Sequence, residues 1–267
     1  MLTSLTNDSF RNVPRLQVLD LGYNSLVTLS ADVFHGLNNL TSLILKKTSL
    51  LELSDVNLSH LSHLISLDLS DNALSSVPTQ ALQYSSTLET LDLSSNSLQT
   101  VSNHSLSTLT NLQNLYLRGN SLSSLEPAAF DGLQKLVTLD LSFNQLQLSY
   151  KSYPPAVFSP LAALESLFIN GNDDRSVGDC PLHVFDPLRS LKTLSIDTFS
   201  EHRFGAAFTS LTNLRSLTLA GTGCSIQRIR NNTFAAFRHS GLETLFIQDC
   251  PLALRGHVCL LQPSPAD

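Results

Sequence analysis

The chain has no tryptophan, a single methionine and little charge: only 14% of its 267 residues are Asp, Glu, Lys or Arg. Low charge is not disorder here, because 42% of residues are apolar and can build a core. No apolar run approaches the roughly 20 residues that a membrane helix needs. The opening MLTSLTNDSF lacks the basic region and apolar stretch of a signal peptide. Four cysteines, Cys180, Cys224, Cys250 and Cys259, are too few and too late to form a disulfide framework. Cys224 and Cys250 read as small buried thiols, and a bridge between them, or from Cys250 to Cys259, stays open because geometry decides it. Catalytic signatures are missing too: there is no Gly-rich phosphate loop, no H-E-x-x-H, no G-x-S-x-G and no C-x-x-C. His60 and His63 stand three apart, as do Cys180 and His183, but no further ligand joins either pair. The reading is non-enzymatic, with no metal and no cofactor. A net charge of −6 counts mildly against a nucleic-acid partner.

What the sequence does have is a period. Segments of the form L-x-x-L-x-[LI] begin at Leu16, Leu40, Leu64, Leu88, Leu112, Leu136, Leu164, Leu191, Leu214 and Leu242. The steps are 24 residues five times, then 28, 27, 23 and 28. The cleanest unit, LQNLYLRGNSLSSLEPAAFDGLQK from Leu112, has leucine in slots one, four, six, eleven, fourteen and twenty-two, asparagine in slot nine and phenylalanine in slot nineteen. Leu-x-Leu alternation turns both leucines of a short strand inward and the residues between them outward. One such unit cannot bury its leucines alone, whereas stacked units bury a continuous core. Slot nine holds Asn24, Asn72, Asn96, Asn120, Asn144 and Asn172, with Thr48, Phe199, Thr222 and Cys250 in the other units. An amide there can turn inward and satisfy backbone groups of its own and neighbouring turns, a structural ladder.

This template resembles the extracellular typical class of leucine-rich repeats. Regular units followed by swollen ones of 27 to 28 residues resemble Toll-like receptor ectodomains. The resemblance implies an α/β leucine-rich-repeat solenoid: a right-handed curved horseshoe with a parallel sheet on the concave face and an irregular or short-helical convex side. The Gly-x-Ile-Pro signature of plant receptors and the alternating 28/29-residue pattern of ribonuclease-inhibitor-like repeats are absent. The whole chain, 1–267, is expected to be one repeat domain: 1–15 a partial repeat, 16–241 nine repeats, 242–267 a degenerate last repeat and tail. Leu2, Leu5, Phe10 and Val13 fit the second half of a unit, and no cap is evident at either end, so the chain reads as part of a longer ectodomain.

Five N-x-[ST] sequons, at Asn7, Asn39, Asn57, Asn103 and Asn231, all fall on the return side or the approach to the strand. Acceptors kept off the strand face favour a secreted, glycosylated protein, extracellular or on the cell surface.

The outward strand positions form the expected binding surface. They carry eleven acidic residues, among them Asp20, Asp68, Asp71, Asp92, Asp140, Glu165 and Asp197, against five basic ones, Lys46, Lys47, Arg118, Lys192 and Arg215. Such a face should repel phosphate backbones. Tyr116, Arg118, Phe143 and Phe168 form an anchor-like group on it, since exposed aromatics and arginine dominate interfaces. The swollen units should bulge from one flank and bring Tyr150, Lys151 and Tyr153, then Asp173, Asp174, Arg175 and Asp179, to the surface. The resemblance implies ligand recognition by an innate-immune pattern-recognition receptor, for a protein or microbial ligand, with signalling through receptor homo- or heterodimers. The alternative is an extracellular cell-adhesion or matrix-binding protein.

Overall fold

The computed structural model of the chain describes residues 1–172, 183–197, 208–220, 229 and 232–248. All four cysteines, Asn231, Phe199, Thr222 and the second insert with Asp173, Asp174, Arg175 and Asp179 lie outside them.

Ten short strands build one parallel sheet, each contributed by one repeat. They are β1 (Val18–Asp20), β2 (Ser42–Ile44), β3 (Ser66–Asp68), β4 (Thr90–Asp92), β6 (Asn114–Tyr116), β8 (Thr138–Asp140), β9 (Ser166–Ile169), β10 (Thr193–Ile196), β11 (Ser216–Leu219) and β12 (Thr244–Ile247). Two more strands, β5 (Thr100–Val101) and β7 (Ser124–Leu125), pair beside it on the flank. The slot-four leucines face one another across the whole sheet, from Leu19↔Leu43 to Leu217↔Leu245. Units of 23 to 28 residues therefore keep one register, because length differences fall outside the strands. Among the described residues the return side is mostly turns, with a short helix, α1 (Thr79–Leu82), and a 3-10 turn at Ala235–Phe237.

Alternation puts the core where the pattern requires. In the unit at Leu112, Leu112, Leu115, Leu117, Leu122, Leu125, Phe130 and Leu133 are all buried. The slot-nineteen rings stack from turn to turn, Phe130 on Phe158 at 6.0 Å and Phe158 on Phe185 at 6.3 Å. Buried Leu58, Leu82 and Leu106 occupy the same slot between Phe34 and Phe130.

Slot nine ties successive turns together, and Asn120 shows how. Its Oδ1 accepts Leu98 N–H of the preceding turn at 3.0 Å, and its Nδ2 donates to Leu93 and Leu117 carbonyls at 3.0 Å each. Asn72, Asn96 and Asn144 repeat the pattern. Asn172 does so across the insert, accepting Leu146 N–H. Asn24, at the start of the stack, accepts Leu2 N–H and is only half-buried. Thr48 substitutes with its hydroxyl, 2.8 Å from the Leu45 carbonyl.

One residue earlier the chain leaves the strand with a left-handed residue in every regular turn. Tyr23, Lys47, Asp71, Ser95 and Phe143 have φ between 53° and 57°, and Gly119 and Gly171 take the same slot. This geometry costs a non-glycine residue roughly 1–2 kcal/mol. In return the slot-eight N–H of every one of these but Gly171 still reaches a carbonyl of the next turn, as Ser95 N–H does to Arg118 at 2.7 Å.

Candidate functional site

The outward strand positions from β1 to β9 are partly or fully exposed. The cavity lined by Leu146, Leu148, Tyr153, Ile169, Ile196 and Asp197 is about 10 Å³, room for at most one water. That cavity is too small for a ligand, and the sheet offers its outward side chains as a surface.

Along the middle of that surface, the slot-five residues Asp68, Asp92, Tyr116, Asp140 and Phe168 stand in register on β3, β4, β6, β8 and β9. Tyr116 and Phe168 are half-buried. Each aspartate accepts the N–H two residues on, Ser70 to Asp68 at 2.9 Å, Ser94 to Asp92 at 2.8 Å and Ser142 to Asp140 at 2.8 Å. That bond closes the strand's exit turn and fixes one oxygen of the carboxylate. Burial, aided by the neighbouring charge of Asp68, pushes the Asp92 carboxyl above the usual range. Lys46, bonded to Asp71 at 3.2 Å, is held above its ordinary value by that bond and by the charges of Asp71 and Asp68.

Beyond the strand ends, Arg118 and Phe143 meet. The Arg118 guanidinium lies 3.9 Å from the centre of the Phe143 ring and donates to Ser142 Oγ at 3.0 Å. Ser142 in turn donates to Asp140 at 2.6 Å, so the arginine is tied to the aspartate row through one hydroxyl. Phe143 rests on Gly171, where a β-carbon would stand 3.0 Å from the ring. Stacking of this kind contributes about 0.5–1 kcal/mol at an exposed site. Here it fixes the direction of an otherwise flexible cation.

The structure thus brings Arg118 and Phe143 into contact and sets Tyr116 and Phe168 two strands apart with Asp140 between them. Tyr150 is exposed, but on the loop bonded to Ser123 rather than on the sheet. Tyr153 is a correction: expected on a bulging flank, it is 1% exposed and packs on Phe158 with ring centres 5.9 Å apart. The insert folds inward because Ser152 bonds Ser123 and Leu125 of the preceding turn, which carries the next ring into the core. Asp197 is a second correction. Counted as outward, it is 6% exposed, and its carboxylate accepts Gly171 and Asn172 N–H at 2.9 and 2.7 Å. It replaces the slot-seven backbone carbonyl that accepts the corresponding N–H in the regular turns.

On the return side, Asn7, Asn39 and Asn103 are exposed and Asn57 half-buried. Asn7 and Asn103 use Oδ1 to accept N–H groups of the next turn, whereas Asn39 Nδ2 donates to Pro14. His60 packs against the His35 ring, while His63 turns to the Asn38 carbonyl. Among the described residues no group of three or more His, Cys, Asp or Glu could hold a metal ion, and no helix is long and apolar enough to cross a membrane.

Residues 1–50, 38–98, 86–146 and 122–173 each match the leucine-rich-repeat family. The chain is a leucine-rich-repeat protein. This repeat protein also resembles a Toll-like receptor ectodomain: the crystal structure of a TLR13–ssRNA13 complex superposes on 89% of the chain with a TM-score of 0.71 and 25% identity. The repeat chain spans 37% of that structure's length. No curated protein matches it.

Proposed function

We propose that this chain is the ligand-recognition part of a Toll-like pattern-recognition receptor of innate immunity, non-catalytic, binding across the sheet and adjoining flank between positions 112 and 180. The observation that carries this reading is the Arg118–Phe143 stack at the strand exits, beside Tyr116 and Phe168 on the strands, aromatic and guanidinium groups that are not fully buried. No sequon lies between 112 and 180, so glycans leave this stretch bare. A protein or other non-nucleic-acid ligand suits the acidic sheet better than a phosphate backbone. The TLR13 neighbour is a complex with ssRNA, so ssRNA belongs in the test as a competing ligand.

Random twelve-residue peptides selected on the chain, and an ssRNA of similar length, are to be titrated against variants. Tyr116→Ala and Phe168→Ala are expected to weaken the selected peptides by about tenfold or more, the loss typical of a buried anchor. His60→Ala, on the return side, is expected to change nothing. A loss with His60→Ala alone would reassign the face. Tight ssRNA binding that is lost with Tyr116→Ala would reassign the ligand class.

The secretory part of the reading has its own test. Expressed behind a signal peptide in animal cells, the chain is expected to carry glycans on at least two of its five sequons, Asn7 and Asn103 first. Their Oδ1 atoms make the bonds to the next turn, which leaves Nδ2 for sugar. Gel mobility unchanged by glycosidase would count against secretion.

A further inference from the structure

The slot-five row has a spacing as well as a charge. Asp92, Tyr116, Asp140 and Phe168 stand on four successive strands of the sheet. Parallel strands lie about 4.8 Å apart, so the two aspartates are about 9.6 Å apart with the tyrosine ring between them.

Among the described residues no lysine or arginine forms an ion pair with Asp68, Asp92 or Asp140. The nearby cations are engaged elsewhere: Lys46 on Asp71, Lys192 on Glu165 at 2.6 Å, and Arg118 on Phe143 and Ser142. Burial, with the charge of Asp68 beside it, holds the Asp92 carboxyl above its usual range, which Lys46 and Ser94 offset only in part. Asp68 accepts Ser70 N–H just as Asp92 accepts Ser94 N–H. Ser142 bonds Asp140 with its hydroxyl as well as its N–H. Ser70 holds the same slot beside Asp68, and its hydroxyl, in a residue only 3% exposed, makes no hydrogen bond.

We infer that this row docks an extended basic segment of a protein partner, in polyproline-II conformation, with arginine or lysine at every third residue. A polyproline-II chain has three residues per turn and rises about 3.1 Å per residue, so every third side chain returns to the same face after about 9.3 Å. That repeat matches the separation of Asp92 and Asp140. A β-strand returns to the same face after about 6.8 Å and falls out of step within one repeat. Each cation then meets a carboxylate and the face of an adjacent ring, Tyr116 at Asp92, and Tyr116 or Phe168 at Asp140. The residues between the cations lie on the aromatic edges, as such helices do in aromatic-lined grooves. The inference rests on the sheet being the binding face.

The test is a fluorescence-anisotropy titration of two labelled peptides of equal composition. One is Arg-Pro-Pro repeated four times, and the other has its four arginines contiguous. The spaced peptide is expected to bind at least about fivefold tighter, the effect of one extra cation–carboxylate–ring contact. Asp92→Asn and Asp140→Asn should each remove that preference, since the amide keeps the oxygen that accepts the backbone N–H. Asp55→Asn, the same charge change on the return side, should leave it intact. Asp92→Lys with Asp140→Lys should transfer the spacing preference to a Glu-Pro-Pro peptide. Equal binding of the two arginine peptides, or a preference that survives both asparagine changes, overturns the inference. Peptides selected from a random library separate the two levels. Binders lost with Tyr116→Ala but without basic spacing overturn the inference and keep the face. Binders indifferent to Tyr116→Ala and Phe168→Ala overturn both.

Discussion

Asn120→Ala is expected to destabilise the fold by about 2–4 kcal/mol in urea denaturation, one of the largest effects available to a polar residue here. The cost follows from what each partner of Asn120 keeps. The Leu93 carbonyl still receives Asn96 Nδ2, and the Leu117 carbonyl still receives Asn144 Nδ2. The Leu98 N–H has no such second partner, and it is buried. An orphaned buried donor costs about 1–3 kcal/mol, and the emptied amide site adds a cavity. The effect should also have a direction. Hydrogen exchange should accelerate at Leu98, one turn before the substitution, by roughly tenfold or more for each 1.4 kcal/mol lost locally. Leu122 N–H, which is held by Asn144, should keep its protection. Equal loss at both amides would mean that the ladder is not the coupling.

Phe158→Ala is expected to cost about 3–5 kcal/mol, the usual range for a fully buried aromatic truncated to alanine. Its ring is 0% exposed and is stacked by Phe130 on one side and Phe185 on the other, with Tyr153 tilted against it. Phe10→Ala offers the contrast. It occupies the same slot at the start of the stack, is only partly buried and touches one ring, Phe34, at 6.5 Å. Its loss should cost less than half as much. Because a repeat array couples neighbours, Phe158→Ala should also broaden the urea transition as the turns on either side separate. A sharp transition with an unchanged midpoint would show that the aromatic stack contributes little.

The parallel sheet, its register and its core were legible because leucine recurs at fixed offsets, and a strand has only two faces to offer. Leu115, Phe130 and Leu133 need nothing but the period. The Arg118–Phe143 contact was half legible: slots seven and eight of adjacent turns must be neighbours. The left-handed φ of Phe143 and the glycine floor at Gly171 cannot be read from one sequence, although a glycine one unit after an outward aromatic is the available signal. Tyr153 was misplaced because the length of an insert says that chain must go somewhere, not in which direction. The Ser152–Ser123 bond that turns it inward is specific to two residues. Asp197 was misplaced because slot counting presumes that every turn exits its strand alike. Its lack of a following slot-nine amide, where Phe199 stands instead, was the sign that this turn differs.

The asparagine ladder has a consequence for how such a gene can change length. Each amide serves the turn before it, so the bonds at a junction need only an asparagine on the later side and a slot-eleven N–H on the earlier side. Any two regular turns satisfy that condition, whichever copies they descend from. Duplicating or losing a whole unit within 64–135 would therefore leave every junction complete, while a cut at half a unit would strand an amide on one side. The molecule is thus heritable in whole turns, and selection on copy number can proceed without retuning the joints.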